Sequence, residues 1–256
     1  MSVVTVIYTL LLYLAAAVFL AGITRKIISY ACTPQPLKIP TTPAPTTRIG
    51  VIIRVAREVI LFESLFKANK WTWSFGWIFH YSMLLLLLRH LFYFTDPVWS
   101  WVLAIQPIGD YAAAAMLIGL AGLWCRRLLV DRIRYISSLS DHLMLALLVG
   151  IAASGLAMNY FDYPDIIVVK AFIRGLITFK WQPLSAIPLL MLHLALVAIL
   201  LIVFPLSKLL HAPGVFFSPA INQVDNPREI RWLSGWSAEI NNAEGKKHGG
   251  TDSAHE

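Results

Sequence analysis

The chain has 256 residues, of which 58% are hydrophobic and only 14% are charged, with a formal net charge of +7. A typical soluble domain carries about 25% charged residues, so this composition excludes an ordinary soluble enzyme. Apolar runs long enough to cross a bilayer lie at about 3–23, 74–93, 108–125, 141–160 and 184–206. They predict an all-α integral membrane protein, a bundle of five transmembrane helices without a separate soluble domain.

The first span has the wrong flanks for a secretory signal peptide. No Lys or Arg precedes it, whereas Arg25 and Lys26 follow it directly. A signal peptide has its positive charge before the apolar core. The pattern therefore predicts a retained helix whose N-terminus lies outside the cytoplasm.

The cationic residues predict the orientation of all five spans. Segments 24–70 and 126–140 and the tail beyond 207 hold 17 Lys and Arg residues, whereas 94–107 and 161–183 together hold three. The side rich in Lys and Arg is cytoplasmic in most membrane proteins. The basic charge is thus a topology signal and does not form the clustered face of a nucleic-acid-binding domain.

The segments outside the spans differ in character. Residues 33–47 form a proline-rich arm that cannot be helical, and 223–256 form a polar cytoplasmic tail, largely disordered at its end. Residues 48–69 predict one amphipathic helix on the cytoplasmic side, which either adheres to the membrane interface or serves as a docking platform for a partner. The apolar stripe of this helix comprises Ile52, Val55, Val59, Phe62 and Phe66.

Two cysteines, Cys32 and Cys125, are far apart and lack the CxxC spacing of iron–sulfur ligands. Any such cluster must belong to a partner protein.

Histidines provide the strongest functional signal. His80 and His90 lie ten residues apart in the second span, and His193 and His211 lie eighteen apart in and just beyond the fifth. Ionisable residues inside a membrane are expensive and usually functional, and neutral imidazole is a common axial ligand of haem iron. Antiparallel packing brings His80 level with His211 and His90 level with His193, which predicts two stacked b haems. His142 has no histidine at a matching depth on another span. We therefore expect it to be an interfacial residue, with a cofactor role as the alternative.

The two histidine spacings do not match in length. Ten helical residues rise about 15 Å and eighteen rise about 27 Å. Tilted helices, inclined haems or a distortion near Pro205 would each absorb the difference.

Several polar residues near the outer haem level are secondary candidates. Arg89 is placed to neutralise a haem propionate or to lie near quinone, or else to reach the membrane interface with its charged end. Asp110 and Tyr111, at the outer end of the third span, are candidates for a quinone site. Three residues of the outer connection either approach the outer haem's propionates or form a solvated loop face: Asp165, Lys170 and Arg174.

The sequence also resembles a known family. The histidine spacing is similar to that of the NarI-type cytochrome b family, the gamma subunits of respiratory nitrate reductase. Within that family the chain is most similar to DsrM-type subunits of the membrane complex linked to dissimilatory sulfite reductase. The stretches that carry this resemblance are RIGVIIRVAREVILFESLFKANKW (48–71), FHYSMLLLLLRH (79–90), RRLLVDRIRYIS (126–137), YPDIIVVK (163–170) and FPLSKLLHAPGVFFSPAIN (204–222).

The resemblance implies a dihaem cytochrome b in a bacterial or archaeal cytoplasmic (inner) membrane. It implies exchange of electrons with menaquinone or ubiquinone and with a cytoplasmic iron–sulfur partner of the DsrK type. In full complexes it further implies a periplasmic multihaem cytochrome c, an iron–sulfur protein and a second membrane subunit. Some relatives carry an extra N-terminal span that this chain lacks, so the partner set is open.

Two other interpretations stay open. One is a gamma-type cytochrome b subunit of another respiratory complex of the same family. The other is a cofactor-free membrane anchor or transporter subunit that uses these histidines as hydrogen-bond donors or in a proton path.

Overall fold

A computed structural model describes residues 1–33, 40 and 43–226, and in these ranges all regular secondary structure is helical. Five helical stretches in the described part are long and apolar enough to cross a membrane. They run over Val3–Cys32, Lys70–Tyr93, Ser100–Leu129, Leu139–Phe161 and Pro188–Leu206. The predicted all-α fold with five spans is confirmed.

The spans are assembled from the longer helices and joined by short ones. The helices are α1 (Val3–Cys32), α2 (Arg48–Leu61), α3 (Glu63–Ala68), α4 (Lys70–His90), α5 (Ser100–Ile105), α6 (Gly109–Leu129), α7 (Asp131–Ile136), α8 (Leu139–Phe161), α9 (Ile166–Ile177), α10 (Pro188–Val203), α11 (His211–Gly214) and α12 (Pro219–Asn222). Short 3₁₀ turns follow α4, α5, α10 and α11. After α10 the turns Phe204–Leu206 and Lys208–Leu210 interrupt the α-helix, so His193 and His211 do not lie on one continuous helix.

The chain divides into two compact units. The first comprises Met1–Ile23 and Leu61–Leu209, and the second comprises Thr24–Ile60 and Leu210–Glu256, described here to residue 226. In the second unit the amide of Asp225 donates to the carbonyl oxygen of Pro45 (3.0 Å), and Tyr30 packs on Phe217 with ring centroids 5.9 Å apart.

In the first unit, consecutive spans are packed side by side: α4 on α6, α6 on α8 and α8 on α10. A buried cluster fills the contact of α4, α6 and α8; its members are Phe79, Met116, Leu120, Leu148 and Ala152. Gly119 brings α6 close to α4, since a Cβ built there would lie 2.8 Å from the backbone nitrogen of Phe79. Small residues at such contacts let membrane helices approach closely, where van der Waals packing replaces the hydrophobic effect.

Hydroxyl groups tie the first span to two other helices of this unit. The Tyr8 hydroxyl donates to the carbonyl oxygen of Met191 (3.1 Å), and that of Tyr13 donates to Leu176 (2.9 Å). These bonds satisfy polar groups that would be costly in an apolar medium. They place α1 beside α10 and α9.

A buried carboxylate joins three spans at the opposite end of the unit. Asp141 closes a capping box at the start of α8 with Ser138, and its side chain is only 7% exposed. Arg127, from the end of α6, lies 3.2 Å from its Oδ2, and Lys208, beyond α10, lies 2.8 Å from its Oδ1. Because the Asp141 carboxylate is paired with two cations and hydrogen-bonded, its negative charge is tolerated at a buried position.

The prediction of a single amphipathic helix over 48–69 is wrong in one respect, because the segment forms two helices. Phe62 adopts the left-handed conformation (φ 50°, ψ 48°), which ends α2 at Leu61 and starts α3 at Glu63. The apolar stripe is otherwise as predicted, with Ile52 67% and Phe66 43% exposed. On α3 the side chains of Glu63 and Lys67 form an ion pair at 2.6 Å.

Most of the proline-rich arm, 34–39 and 41–42, and nearly all of the tail, 227–256, lie outside the described residues. The predictions made for them stay predictions.

Candidate cofactor site

Two of the predicted histidines face each other between two spans. His90 ends α4 and His193 lies in the second turn of α10, and their ring centroids are 6.4 Å apart with planes only 10° from parallel. Metal–imidazole bonds of about 2 Å on both sides of one ion, plus roughly 1 Å from nitrogen to ring centre, give a centroid separation of about 6 Å. The observed separation therefore fits one metal centre held between the two rings.

Hydrogen bonds select the same tautomer in both rings. Nδ1 of His90 lies 2.6 Å from the carbonyl oxygen of Leu86, and since a carbonyl only accepts, this nitrogen carries the proton. Nδ1 of His193 lies 3.0 Å from Oγ of Ser154, whose own hydroxyl donates to Ile151. Both rings therefore keep Nε2 unprotonated, the form that binds a metal, and their partners fix ring orientation as in known metal sites.

Two cavities open beside this histidine pair. One is apolar, has a volume of about 480 Å³ and is lined by both histidines together with Leu12, Tyr93 and Leu194. The other has a volume of about 270 Å³, also borders both histidines, and has Arg89, Gln106 and Asn159 in its wall. An apolar cavity next to a polar one suits a macrocycle with an apolar body and charged edges, and the larger cavity is in the size range of cofactor sites.

A glycine on α8 makes room for the second ring. A Cβ built at Gly155 would lie 3.3 Å from Cε1 of His193, so a larger residue would press on the imidazole. Gly155 follows Ser154 directly, and this pair of small residues both admits and orients the ring.

Arg89 lies in a hydrogen-bonded network at the end of the unit that holds His90. Its Nε donates to Oε1 of Gln106 (3.2 Å), and its Nη1 lies 3.5 Å from Oδ1 of Asp110. Asn159 donates to the same Asp110 oxygen, and the Gln106 amide donates to the backbone carbonyl of Arg89 (3.1 Å). The network connects α4, α6 and α8 one residue from His90, and it brings together Arg89 and Asp110, two of the candidate quinone-site residues.

Tyr111 does not join them. It is 78% exposed and lines a separate groove with Trp77 and Tyr81. The Tyr111 side chain therefore lies apart from the Arg89–Asp110 network, and its assignment to a common quinone site with Asp110 stays a prediction.

The three outer-loop candidates also lie elsewhere. Asp165 caps α9 by accepting from the amide of Ile167 (2.8 Å), while Lys170 (3.7 Å) and Arg174 both pair with Asp96. The two cations line a separate groove rather than either cavity beside the histidine pair. The alternative of a loop face is therefore the better description of these residues.

The remaining histidines fall into two kinds. His80 donates from Nδ1 to the carbonyl oxygen of Gly76 (2.7 Å), which is the pattern seen at His90. His142 instead accepts at Nδ1 from the Trp124 indole (3.1 Å), so its proton is on Nε2 and it lacks the ligand tautomer of the others. His211 begins α11 in the second unit.

Sequence reasoning missed Ser154, Gln106, Asn159 and Gly155. The signal available was a polar or small residue inside or at the end of an apolar span. In the described part of the chain, no three His, Cys, Asp or Glu side chains gather as a site for a bare ion. Haem needs only two axial ligands, and the facing rings of His90 and His193 match that number.

The geometry defines a multi-pass helical membrane protein with a histidine pair suited to haem. Residues 49–227 match the model of the nitrate reductase gamma subunit family, and the chain belongs to that family. It is a NarI-like cytochrome b, a family of haem-binding, quinone-linked subunits of cytoplasmic-membrane oxidoreductase complexes.

Three curated relatives place the chain within the family. It is 35% identical to the Hdr-like menaquinol oxidoreductase cytochrome b-like subunit of Archaeoglobus fulgidus, over 88% of this chain and 81% of that protein. The subunit of the same description from Archaeoglobus profundus is 31% identical, over 92% and 84% of the two chains. The respiratory nitrate reductase 2 gamma chain of Escherichia coli is 26% identical, over 55% and 72%.

Proposed function

We propose that this chain is a dihaem cytochrome b that carries electrons between membrane quinone and a cytoplasmic iron–sulfur partner. The observation that carries the proposal is the parallel pair of His90 and His193 at 6.4 Å, both with Nε2 unprotonated. Haem with two histidine ligands supplies one-electron transfer and leaves no coordination position for oxygen or substrate. The residues of the chain position the haem and set its surroundings.

The second haem is proposed for His80 and His211. His80 has the same backbone-fixed tautomer as His90 and lies ten residues before it on α4. The inner pairing follows from antiparallel depth matching, with the break after α10 lying between His193 and His211. Two stacked haems would give electrons a path across the membrane.

Quinone is proposed to react near the outer haem. A quinone headgroup needs a polar contact within an otherwise apolar wall, and the polar cavity beside His90 offers Arg89, with Asp110 bonded behind it. Arg89 is also proposed to neutralise a haem propionate. Since the two Archaeoglobus relatives are described as menaquinol oxidoreductase subunits, menaquinone is the quinone we propose in preference to ubiquinone.

The partner is proposed to be a cytoplasmic iron–sulfur subunit similar to heterodisulfide reductase, of the DsrK type. The description of the relatives as Hdr-like supports this assignment, and the two cysteines of this chain are single and exposed. A DsrM-type role in dissimilatory sulfur metabolism is the proposed setting, with periplasmic multihaem cytochrome c, iron–sulfur and second membrane subunits as further partners.

The test is a haem count in single histidine variants. The purified protein should show reduced b-type bands from about two haems per chain, expected from four axial ligands. His90→Ala and His193→Ala should remove the same spectral component, and His80→Ala and His211→Ala should remove the other. His142→Ala, with the opposite tautomer, should keep both.

A colourless parent protein would contradict the proposal and favour a cofactor-free anchor. If His80→Ala and His211→Ala each removed a different haem, the pairing would be wrong although the cofactor assignment would stand.

A further inference from the structure

The backbone of Phe62 adopts a left-handed conformation that is unfavourable for a residue with a bulky side chain. At φ 50° and ψ 48° it occupies the left-handed region, which is unusual for a bulky residue and normally belongs to Gly or Asn. Residues held in such conformations persist only when their surroundings impose them, and they cluster at functional sites. The neighbours of Phe62 therefore indicate what the conformation serves.

Contacts between α3 and α4 hold the segment in place. The Trp73 indole donates to the carbonyl oxygen of Leu61 (2.7 Å), and Phe66 packs on Trp73 with ring centroids 4.9 Å apart. Leu65 packs over the first turns of α4, since a Cβ built at Gly76 would lie 3.7 Å from its Cδ2. These contacts fix the position of residues 61–66 without any contribution from the side chain of Phe62.

The side chain of Phe62 contacts a proposed haem ligand. Its ring lies 5.1 Å from the His80 ring at 69°, an edge-to-face arrangement that aromatic rings favour. The same His80 ring donates to Gly76, which lies beneath Leu65. The break between α2 and α3 therefore turns a large apolar ring onto the imidazole, which a continuous helix would carry elsewhere.

We propose that Phe62 is a positioning residue for His80, fixing the plane of its imidazole and excluding water from that side of the inner haem. The inference rests on the proposed function only in taking His80 as a haem ligand. Partners around a ligand control its orientation and the local dielectric, and through them the reduction potential.

The direction of the effect follows from charge. The oxidised haem carries one more positive charge than the reduced form, and an apolar, water-free surrounding penalises the charged form. Removing the Phe62 ring admits water, stabilises the oxidised form and lowers the reduction potential of the haem held by His80. The haem between His90 and His193 should not change.

The experiment compares F62G, F62L and F66A in the full-length protein. Glycine accepts the positive φ, so F62G removes the ring without adding strain. F66A removes the neighbouring ring, which packs on Trp73, and so controls for loss of α3 packing. Redox titration of each haem's visible band and the low-spin ferric resonance are the readouts, with the His80 component identified from the His80→Ala variant.

We expect F62G to lower the equilibrium constant for one-electron reduction of the His80 haem about tenfold. This corresponds to a decrease of about 59 mV in its reduction potential. F62L should shift it less in the same direction, and F66A should leave it unchanged. Equal shifts in F62G and F66A, or unchanged potentials in F62G and F62L, would overturn the inference. Those outcomes leave two haems in the parent protein, whereas failure of the proposed function would appear as a parent without them.

Discussion

At the residue scale, the hydrogen-bond partner of each histidine separates a proposed ligand from an ordinary membrane histidine. His90 donates to a carbonyl and His193 to a serine hydroxyl, and both keep Nε2 unprotonated. His142 accepts from an indole and carries the opposite tautomer. The residue type is the same at all three positions, so the hydrogen-bond partner adds a distinction that residue type does not give.

Arg89 and Asp110 provide the first residue-scale prediction. Arg89→Ala and Asp110→Ala should each slow quinol-dependent haem reduction by about 10-fold or more while haem content stays near that of the parent. The reason is that each removes a charged hydrogen bond, worth about 1.5–3 kcal/mol, from the proposed quinone pocket. Stopped-flow reduction with a menaquinol analogue and a haem assay provide the two measurements.

A matched control is available at the other end of the molecule. Asp131 and Arg134 form an exposed pair at 2.7 Å, so Asp131→Ala and Arg134→Ala remove the same chemistry far from the proposed pocket. Both control variants should reduce at the parent rate. Normal quinol reactivity in Arg89→Ala and Asp110→Ala would move the site to a pocket near His80.

At the element scale, the apolar pattern predicts which segments become spans but not where helices break. The stripe through Ile52, Val59 and Phe66 continues across the break at Phe62, because periodicity reports side-chain polarity and not backbone φ. The ring contact with His80 and the Trp73 bond to Leu61 involve residues more than ten positions away. Only the packed structure contains these interactions.

The close approach of α6 to α4 leads to a stability prediction. Gly119→Ala should destabilise the protein by about 1–3 kcal/mol, the range for overpacking, because the new methyl would meet rigid backbone at Phe79. Gly150→Ala is the control, since its methyl would meet only the mobile end of Leu196 at 3.3 Å. Both changes give the same gain in helix propensity.

Thermal unfolding in detergent, followed by circular dichroism, measures the difference. The melting temperature of Gly119→Ala should fall below that of Gly150→Ala. Equal melting temperatures would mean that α4 and α6 separate without cost at this contact.

At the scale of the whole molecule, the distribution of Lys and Arg gives the orientation prediction. The side holding 17 of these residues should face the cytoplasm, with the N-terminus outside and the C-terminus inside. A C-terminal alkaline phosphatase fusion should be inactive and a fluorescent protein fusion fluorescent. A phosphatase fusion ending within 161–183 should be active.

Phosphatase activity at the C-terminus would show that the topology is the reverse of the predicted one. His90 and His193 would then lie at the cytoplasmic level, and the proposed electron path would run the other way through the two haems.

The sequence by itself determined the five spans, and it predicted the pairing of His90 with His193 and a site at Arg89 and Asp110. These follow from local quantities, namely run length, residue spacing and the antiparallel order of neighbouring spans. The tertiary structure alone decided that Ser154 orients His193, that Gln106 and Asn159 complete the Arg89 network, and that Tyr111 faces away. It also decided the left-handed conformation of Phe62. In each case the deciding partner lies on another element, and its distance is set by helix packing, which no local sequence pattern records.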